Sequence, residues 1–319
     1  GLPSIYESEG FDREHLDLPD QHNALITAVC AANPNTVVVL ANGAPVTMPW
    51  INQVPAVIEG YLGGQASGSG LADALMGVQN PAGKLAETFP LNLKDVPCTA
   101  FFPGERRQMQ YREGVYVGYR YYDTARRDVL FPFGHGLSYT DFVYVEANTS
   151  NASLTADGSI TLSVTIKNTG KRAGAEVIQV YRHSRSSATH QPEQQLCGFA
   201  KVFLQSLEVA TVTIELDAEN FRTFDHGTNN WVLEAGTIQL RIGSSSRDIR
   251  LTQAINVVST QTFSDVAKAT VTPEFSPQGR SQALSVSDAL FGKMLNRPTP
   301  TGEEIRNISY TQFRSQSTQ

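Results

Sequence analysis

Cysteine is scarce in this chain. Its 319 residues hold only Cys30, Cys98 and Cys197, with no CxxC pair. That is too few and too scattered for a disulfide framework, and the spacing of a structural zinc site is missing. The three read as small hydrophobes in a mostly reduced protein. Large secreted enzymes can be as poor in cysteine, so cytoplasmic and secreted locations both stay open. There is no run of about 18 apolar residues, so no helical membrane span is expected. Lys and Arg number 25 against 31 Asp and Glu, a net charge of −6. Nucleic acid and anionic membrane surfaces reward clustered cations and are not expected partners. The six histidines stand at 15, 22, 135, 183, 190 and 226. They form no HxH, HExxH or i, i+4 pair, and no metal is expected.

What is present is ordinary globular material. A hydrophobic fraction of 40% and a charged fraction of 18% fit neither disorder nor a coiled coil. At about 150 residues per domain the length suggests about two domains. In residues 1–142 helix-like and strand-like segments alternate. Leu25, Ile26, Val29 and Cys30 predict a helical face, with Asp20 as N-cap and Pro34 as terminator. Residues 36–41 are β-branched or apolar throughout, as in a strand buried on both sides. Residues 56–62 predict a second buried strand, and residues 71–76 a short helix ended by Gly77. The alternation predicts an α/β domain with a mostly parallel sheet. Over residues 143–258 the period becomes two. Ile160, Leu162, Val164 and Ile166 alternate with polar residues, as do Ile238, Leu240 and Ile242. Turn signals between such runs predict an all-β sandwich of about seven strands. Residues 259–319 are rich in Ser, Thr, Gln and Pro and read as a polar tail. Within it Ser287-Asp288 predicts a cap for a short helix whose face holds Leu290, Phe291, Met294 and Leu295.

Several motif candidates fail on spacing. Residues 77–85 carry one spacer too many for a phosphate-binding loop, and Leu85 stands where a hydroxyl is needed. Gly68-Ser69-Gly70 lacks the third glycine of a dinucleotide fingerprint, and no cofactor is expected. Gly136-Leu137-Ser138 is one residue short of a serine-hydrolase elbow. His135, between two glycines, reads as a histidine bonded to loop backbone. N-glycosylation sequons stand at Asn148, Asn151 and Asn307. The strongest chemical candidate is Tyr6-Glu7-Ser8-Glu9-Gly10-Phe11-Asp12-Arg13. A carboxyl group screened from water by aromatic rings has a raised pKa, as a general acid needs. Arg13 is placed to orient the loop or to pair with Asp12. From composition alone a solvated acidic loop is the commoner reading of such a stretch.

Five segments resemble the C-terminal part of glycoside hydrolase family 3 β-glucosidases. They are Glu7 to Arg13, Gly63-Gly64-Gln65 with Leu71 to Gly77, and Asn80-Pro81-Ala82-Gly83-Lys84-Leu85 with Thr88-Phe89-Pro90. Tyr111 to Tyr122 and Phe131 to Thr140 complete the set. Asn168-Thr169-Gly170 and Gly174 to Tyr181 resemble the fibronectin type III-like domain that follows in that family. The resemblance implies three regions: a partial α/β sandwich domain over 1–142, the fibronectin type III-like domain over 143–258, and the tail over 259–319. It implies retaining hydrolysis of terminal β-D-glucosyl residues, with Glu9 as acid/base and Glu7 as runner-up. The aspartate nucleophile would come from an N-terminal barrel domain. No Ser-Asp-Trp stretch of the kind that surrounds that nucleophile occurs here. The chain opens Gly1-Leu2-Pro3 and reads as starting in mid-domain, with its sheet incomplete and inactive alone.

The partners implied are a β-glucoside or oligosaccharide and the barrel domain; homo-oligomer formation stays open. A rival reading is a non-catalytic carbohydrate-binding or scaffolding module with Glu9 idle. Another is a structural remnant with an exposed sheet edge. The aromatics of 111–122 and 131–139 predict a seam that cements the two domains, with Glu113 and Arg120 as an ion pair or backbone clamp across it.

Overall fold

The computed structural model describes residues 1–104, 109–184, 186–269, 273–275 and 284–295. In the first half α1 (Asp20–Ala32) leads into β1 (Val37–Leu40), and β2 (Ala56–Glu59) pairs with β1 in parallel, Val37 opposite Ala56 and Leu40 opposite Glu59. α2 (Ser67–Leu75) follows. β3 (Phe89–Pro90) and β4 (Val129–Phe131) pair antiparallel, with α3 (Tyr119–Thr124) between them in sequence. The core holds Leu18, Val38, Leu40, Val46, Met48, Trp50 and Phe89. The buried Trp50 indole N–H donates to Asn23 Oδ1 at 2.9 Å, which satisfies a donor that burial would otherwise strand.

Four local expectations need correction. The N-cap of α1 is Pro19, and Asp20 lies inside the first turn, where its charge suits the helix dipole. Only Ile26 and Cys30 of the expected face point to the core; Leu25 and Val29 sit about 100° round the helix and are exposed. β1 is not buried on both faces. Val38 and Leu40 are buried while Val37 and Val39 are 44% and 37% exposed, because among the described residues only one face of the strand pair is covered. β2 stops at Glu59, three residues early, because Tyr61 takes a positive φ of 46° that no strand can hold. Gly77 ends α2 as expected, at φ 69°.

The second half is two packed sheets. One has order β10–β7–β5, from β5 (Phe142–Thr149), β7 (Ser159–Asn168) and β10 (Val209–Asp217). The other has order β6–β14–β13–β8–β9, from β6 (Ser153–Thr155), β8 (Gly174–Ser184), β9 (Gln195–Leu204), β13 (Gly236–Gly243) and β14 (Ile249–Val258). A hairpin of β11 (Thr223–Asp225) and β12 (Asn230–Val232) stands beside them. Ile160, Leu162, Val164 and Ile166 fill the space between the sheets and are fully buried, as the period of two requires. Asn168 is buried at a strand end with its amide fully used. Its Oδ1 accepts from Thr140 Oγ1 and Gly170 N, and its Nδ2 donates to Arg172 O and Leu204 O.

The tail returns to the first half. After α4 (Asp265–Lys268) come the paired β15 (Glu274–Phe275) and β16 (Leu284–Ser285), then α5 (Asp288–Leu295). Ser287 Oγ accepts from Leu290 N at 3.2 Å, the expected cap. Phe291, Leu290, Met294 and Leu295 pack with Tyr116, Tyr121 and Tyr122. The buried Arg112 guanidinium lies over the Phe101 and Phe291 rings and donates to Val286 O and Asp288 Oδ1.

The two halves meet at an aromatic and charged seam. Tyr119 stacks on Phe133 at 4.6 Å and meets Tyr181 edge-on at 5.8 Å. Gln179 Nε2 donates to Gly134 O, and a Cβ at Gly134 would fall 2.0 Å from Gln179 Oε1, so the approach needs glycine. The ion pairs across the seam are Lys84–Glu176 at 2.9 Å and Arg247–Asp123 at 2.8 Å. Glu113 is buried inside the first half, and no ion pair joins it to Arg120 among the described residues. The aromatic expectation stands for Tyr119 and Phe133 only: Tyr116, Tyr121 and Tyr122 pack against the returning tail and Phe131 against Phe89. The charged expectation moves to other residues, chosen by facing loops rather than by sequence proximity.

Candidate active site

The loop that carries Glu7 and Glu9 lies across the carboxyl ends of both parallel strands. Leu2 N donates to Ala41 O, just past β1, and Tyr6 N donates to Pro3 O to close a first turn. Ser8 and Phe11 then form an isolated antiparallel bridge, with Gly10 N donating to Ser8 Oγ at 3.3 Å. Glu9 is therefore at the corner of a four-residue turn, and it is exposed. The aromatic screen expected from sequence does not close over it: Phe11 is itself 49% exposed, and Tyr6 packs edge-on against His15 at 5.8 Å.

Glu7 has a different environment. Its Oε2 accepts the backbone N–H of Gly43 at 2.8 Å, and its Oε1 lies 3.8 Å from Arg13 Nη1. Arg13 Nη1 also donates to Pro45 O at 3.1 Å. Arg13 thus faces Glu7 and the 42–45 loop, not Asp12. Its other amino group, Nη2, is shielded from solvent without a partner. Burial lowers the Arg13 pKa, against the opposing pull of Glu7 and Asp17.

The fold brings in residues that sequence reasoning missed. Glu59, the last residue of β2, accepts from Tyr61 N at 2.9 Å and from Asn42 Nδ2 at 3.3 Å. Burial raises its pKa, and nearby Glu7 adds to the rise. Burial likewise raises Glu87, with Glu59 and Glu7 contributing. The Tyr61 phenol is pushed up by burial and by Glu87. The available signal was positional: Asn42 and Glu59 sit at the ends of the two parallel strands, where open α/β sheets place their crevice. Among the described residues no group of three or more His, Cys, Asp or Glu is arranged to hold a metal.

His135 is structural. Its ring stacks on Phe131 at 4.9 Å, its carbonyl accepts from Leu85 N, and burial with Lys84 nearby lowers its pKa. Of the sequons, Asn307 lies outside the described residues. Asn148 lies in β5, and Asn151 stands between β5 and β6.

Residues 1–139 match the glycosyl hydrolase family 3 C-terminal domain, and residues 176–246 match the fibronectin type III-like domain. Thermostable beta-glucosidase B of Acetivibrio thermocellus is 50% identical over 260 residues, 82% of this chain and 34% of that protein. An exo-alpha-(1->6)-L-arabinopyranosidase of Bifidobacterium breve is 43% identical over 256 residues, 80% of this chain and 33% of that one. The crystal structure of the Kluyveromyces marxianus beta-glucosidase in complex with glucose superposes with a TM-score of 0.76 at 41% identity, covering 81% of this chain and 31% of that one. The chain belongs to glycoside hydrolase family 3, of which it carries the C-terminal α/β domain and the fibronectin type III-like domain. It spans about a third of the length of the curated relatives it matches.

Proposed function

We propose that this chain supplies the acid/base half of a retaining β-glucosidase, with Glu9 as the proton donor and acceptor. The observation that carries the reading is the placement of Glu9: it stands exposed at the corner of the Ser8–Phe11 turn, on a loop whose Glu7 is bonded to Gly43 just past the end of β1. In a retaining mechanism one carboxylate attacks the anomeric carbon while a second carboxyl, about 5 Å away, protonates the departing oxygen. The same group then takes a proton from the water that attacks the glycosyl-enzyme, and that water's oxygen completes the released sugar. The attacking aspartate belongs to a barrel domain that would face this turn. In the assembled enzyme the sugar and the barrel would exclude water from the turn.

The finer assignments belong to the same proposal. The α/β domain occupies 1–142, the sandwich 143–258 and the tail 259–319, and the sugar taken is a terminal β-D-glucosyl residue. The test joins this chain to a family 3 barrel domain and follows hydrolysis of an aryl β-glucoside. Turnover is expected from the assembly and not from this chain alone, and Glu9→Gln is expected to remove most of it. Sugar-dependent stabilisation that is insensitive to Glu9→Gln, without turnover, would favour the binding-module reading instead.

A further inference from the structure

The geometry points to Glu7 as a positioning residue that, with Arg13, clamps both feet of the Glu9 turn onto the loop after β1. The inference rests on the role proposed for Glu9. Glu7 and Arg13 flank the Ser8–Phe11 turn, one on each side. Glu7 holds the N–H of Gly43 at 2.8 Å, Arg13 holds the carbonyl of Pro45 at 3.1 Å, and the two side chains face each other at 3.8 Å. Both clamps end on one short loop, so the turn is fixed at its two ends while its corner stays free. Gly43 suits this contact, since a Cβ there would come within 3.2 Å of Glu7 Oε1. The other ties of residues 6–13 among the described residues are local: Tyr6 N and Glu7 N donate to Pro3 O, Ser8 bridges Phe11, Gly10 N donates to Ser8 Oγ, and Tyr6 meets His15. A proton donor displaced by about 1 Å costs about 10²-fold in rate, so an exposed turn needs such a clamp. The carboxylate of Glu7 is engaged on both oxygens, which leaves Glu9 to exchange the proton.

Two measurements test this. In the chain as it stands, amide hydrogen exchange is followed at Gly43 and at residues 8–11. Glu7→Ala is expected to speed exchange at both places by about tenfold. Glu7→Gln, which keeps an acceptor for the Gly43 N–H, is expected to stay within about threefold of the parent. Unchanged exchange in the sandwich strands checks that the variants fold. If residues 8–11 exchange at the parent rate in Glu7→Ala, the clamp does not exist and the inference falls.

In the assembly with the barrel, Glu7→Ala is expected to lower kcat about 10²-fold, equally for a nitrophenyl and an alkyl β-glucoside, with KM nearly unchanged and partial recovery in Glu7→Gln. A missing proton donor behaves differently. Glu9→Ala spares kcat/KM on the nitrophenyl substrate, whose leaving group needs no protonation, while kcat falls because the glycosyl-enzyme has lost its general base, and azide restores kcat by attacking that intermediate without one. Azide rescue of Glu7→Ala would make Glu7 the acid/base and overturn its positioning role. Failure of Glu9→Ala to change any rate would overturn the acid/base role of Glu9, and the exchange experiment would still report on the clamp.

Discussion

The Tyr119 hydroxyl accepts the backbone N–H of Leu196 at 2.7 Å, and this single bond ties α3 of the first half to the start of β9 in the second. The ring of Tyr119 also stacks on Phe133 and meets Tyr181 edge-on, so one side chain gives the seam both its apolar contact and a directional bond. Such an anchor sets the angle between the halves, which a purely greasy contact would leave loose.

Tyr119→Phe keeps the stack and strands the Leu196 N–H. The loss is expected to be about 1 kcal/mol. Tyr119→Ala removes the ring as well, and about 3 kcal/mol is expected. Urea unfolding of the full chain measures both, and equal losses in the two variants would show that the ring contributes nothing.

Replacing Glu9 with Gln in the barrel-bearing assembly is expected to cost about 10² to 10⁴ in kcat on an alkyl β-glucoside. Turnover at the parent rate in Glu9→Gln would assign the proton transfer to another group.

Asp225 accepts four hydrogen bonds, from Gly227 N, Thr228 N, Ser264 N and Ser264 Oγ, and so pins the start of the tail to the β11–β12 hairpin. Burial alone would raise its pKa, but the bonds from Ser264, Gly227 and Thr228 together hold it well below the usual carboxylate range. The folded state thus binds this proton more weakly than the unfolded chain does. Its contribution is present above the unfolded value, near pH 4, and is lost as the pH falls. Melting temperatures of the parent and of Asp225→Asn should therefore keep their separation above about pH 5 and draw together as the pH falls below about 4. A constant gap would mean that the charge of Asp225 plays no part.

Arg112→Ala removes the two ring contacts and the bonds to Val286 and Asp288 that hold α5. Amide exchange over residues 284–295 is expected to rise at least tenfold while the sandwich strands keep their protection. Protection that stays the same at 284–295 would place the hold on the tail in the apolar packing of Phe291 alone.

Where residues interact with close neighbours in sequence, the reading from sequence is accurate. The alternation from Ile160 to Ile166 places those side chains between the sheets because a strand has no other way to sort them. Ser287 caps α5 because the bond spans only three residues. The positive φ of Gly77 ends α2 for the same local reason. Where the partner is remote, the reading slips. Leu25 and Val29 look like core on periodicity, yet no layer of the described residues covers them. Glu113 and Arg120 look like a pair, yet Asp123 takes Arg247, which is 124 residues away.

The site divides the same way. Residue types and order alone made the Glu7-to-Arg13 loop the strongest candidate for acid/base chemistry, and the family resemblance pointed to Glu9 within it. They could not show that Glu7 is spent on Gly43, that Arg13 turns to Pro45, or that Glu59 and Glu87 share one half-buried neighbourhood. Those facts depend on how the ends of β1 and β2 are brought side by side. A parallel pairing joins strands through a long crossover, so the groups that meet at its edge are set by the whole arrangement and not by any local stretch of sequence.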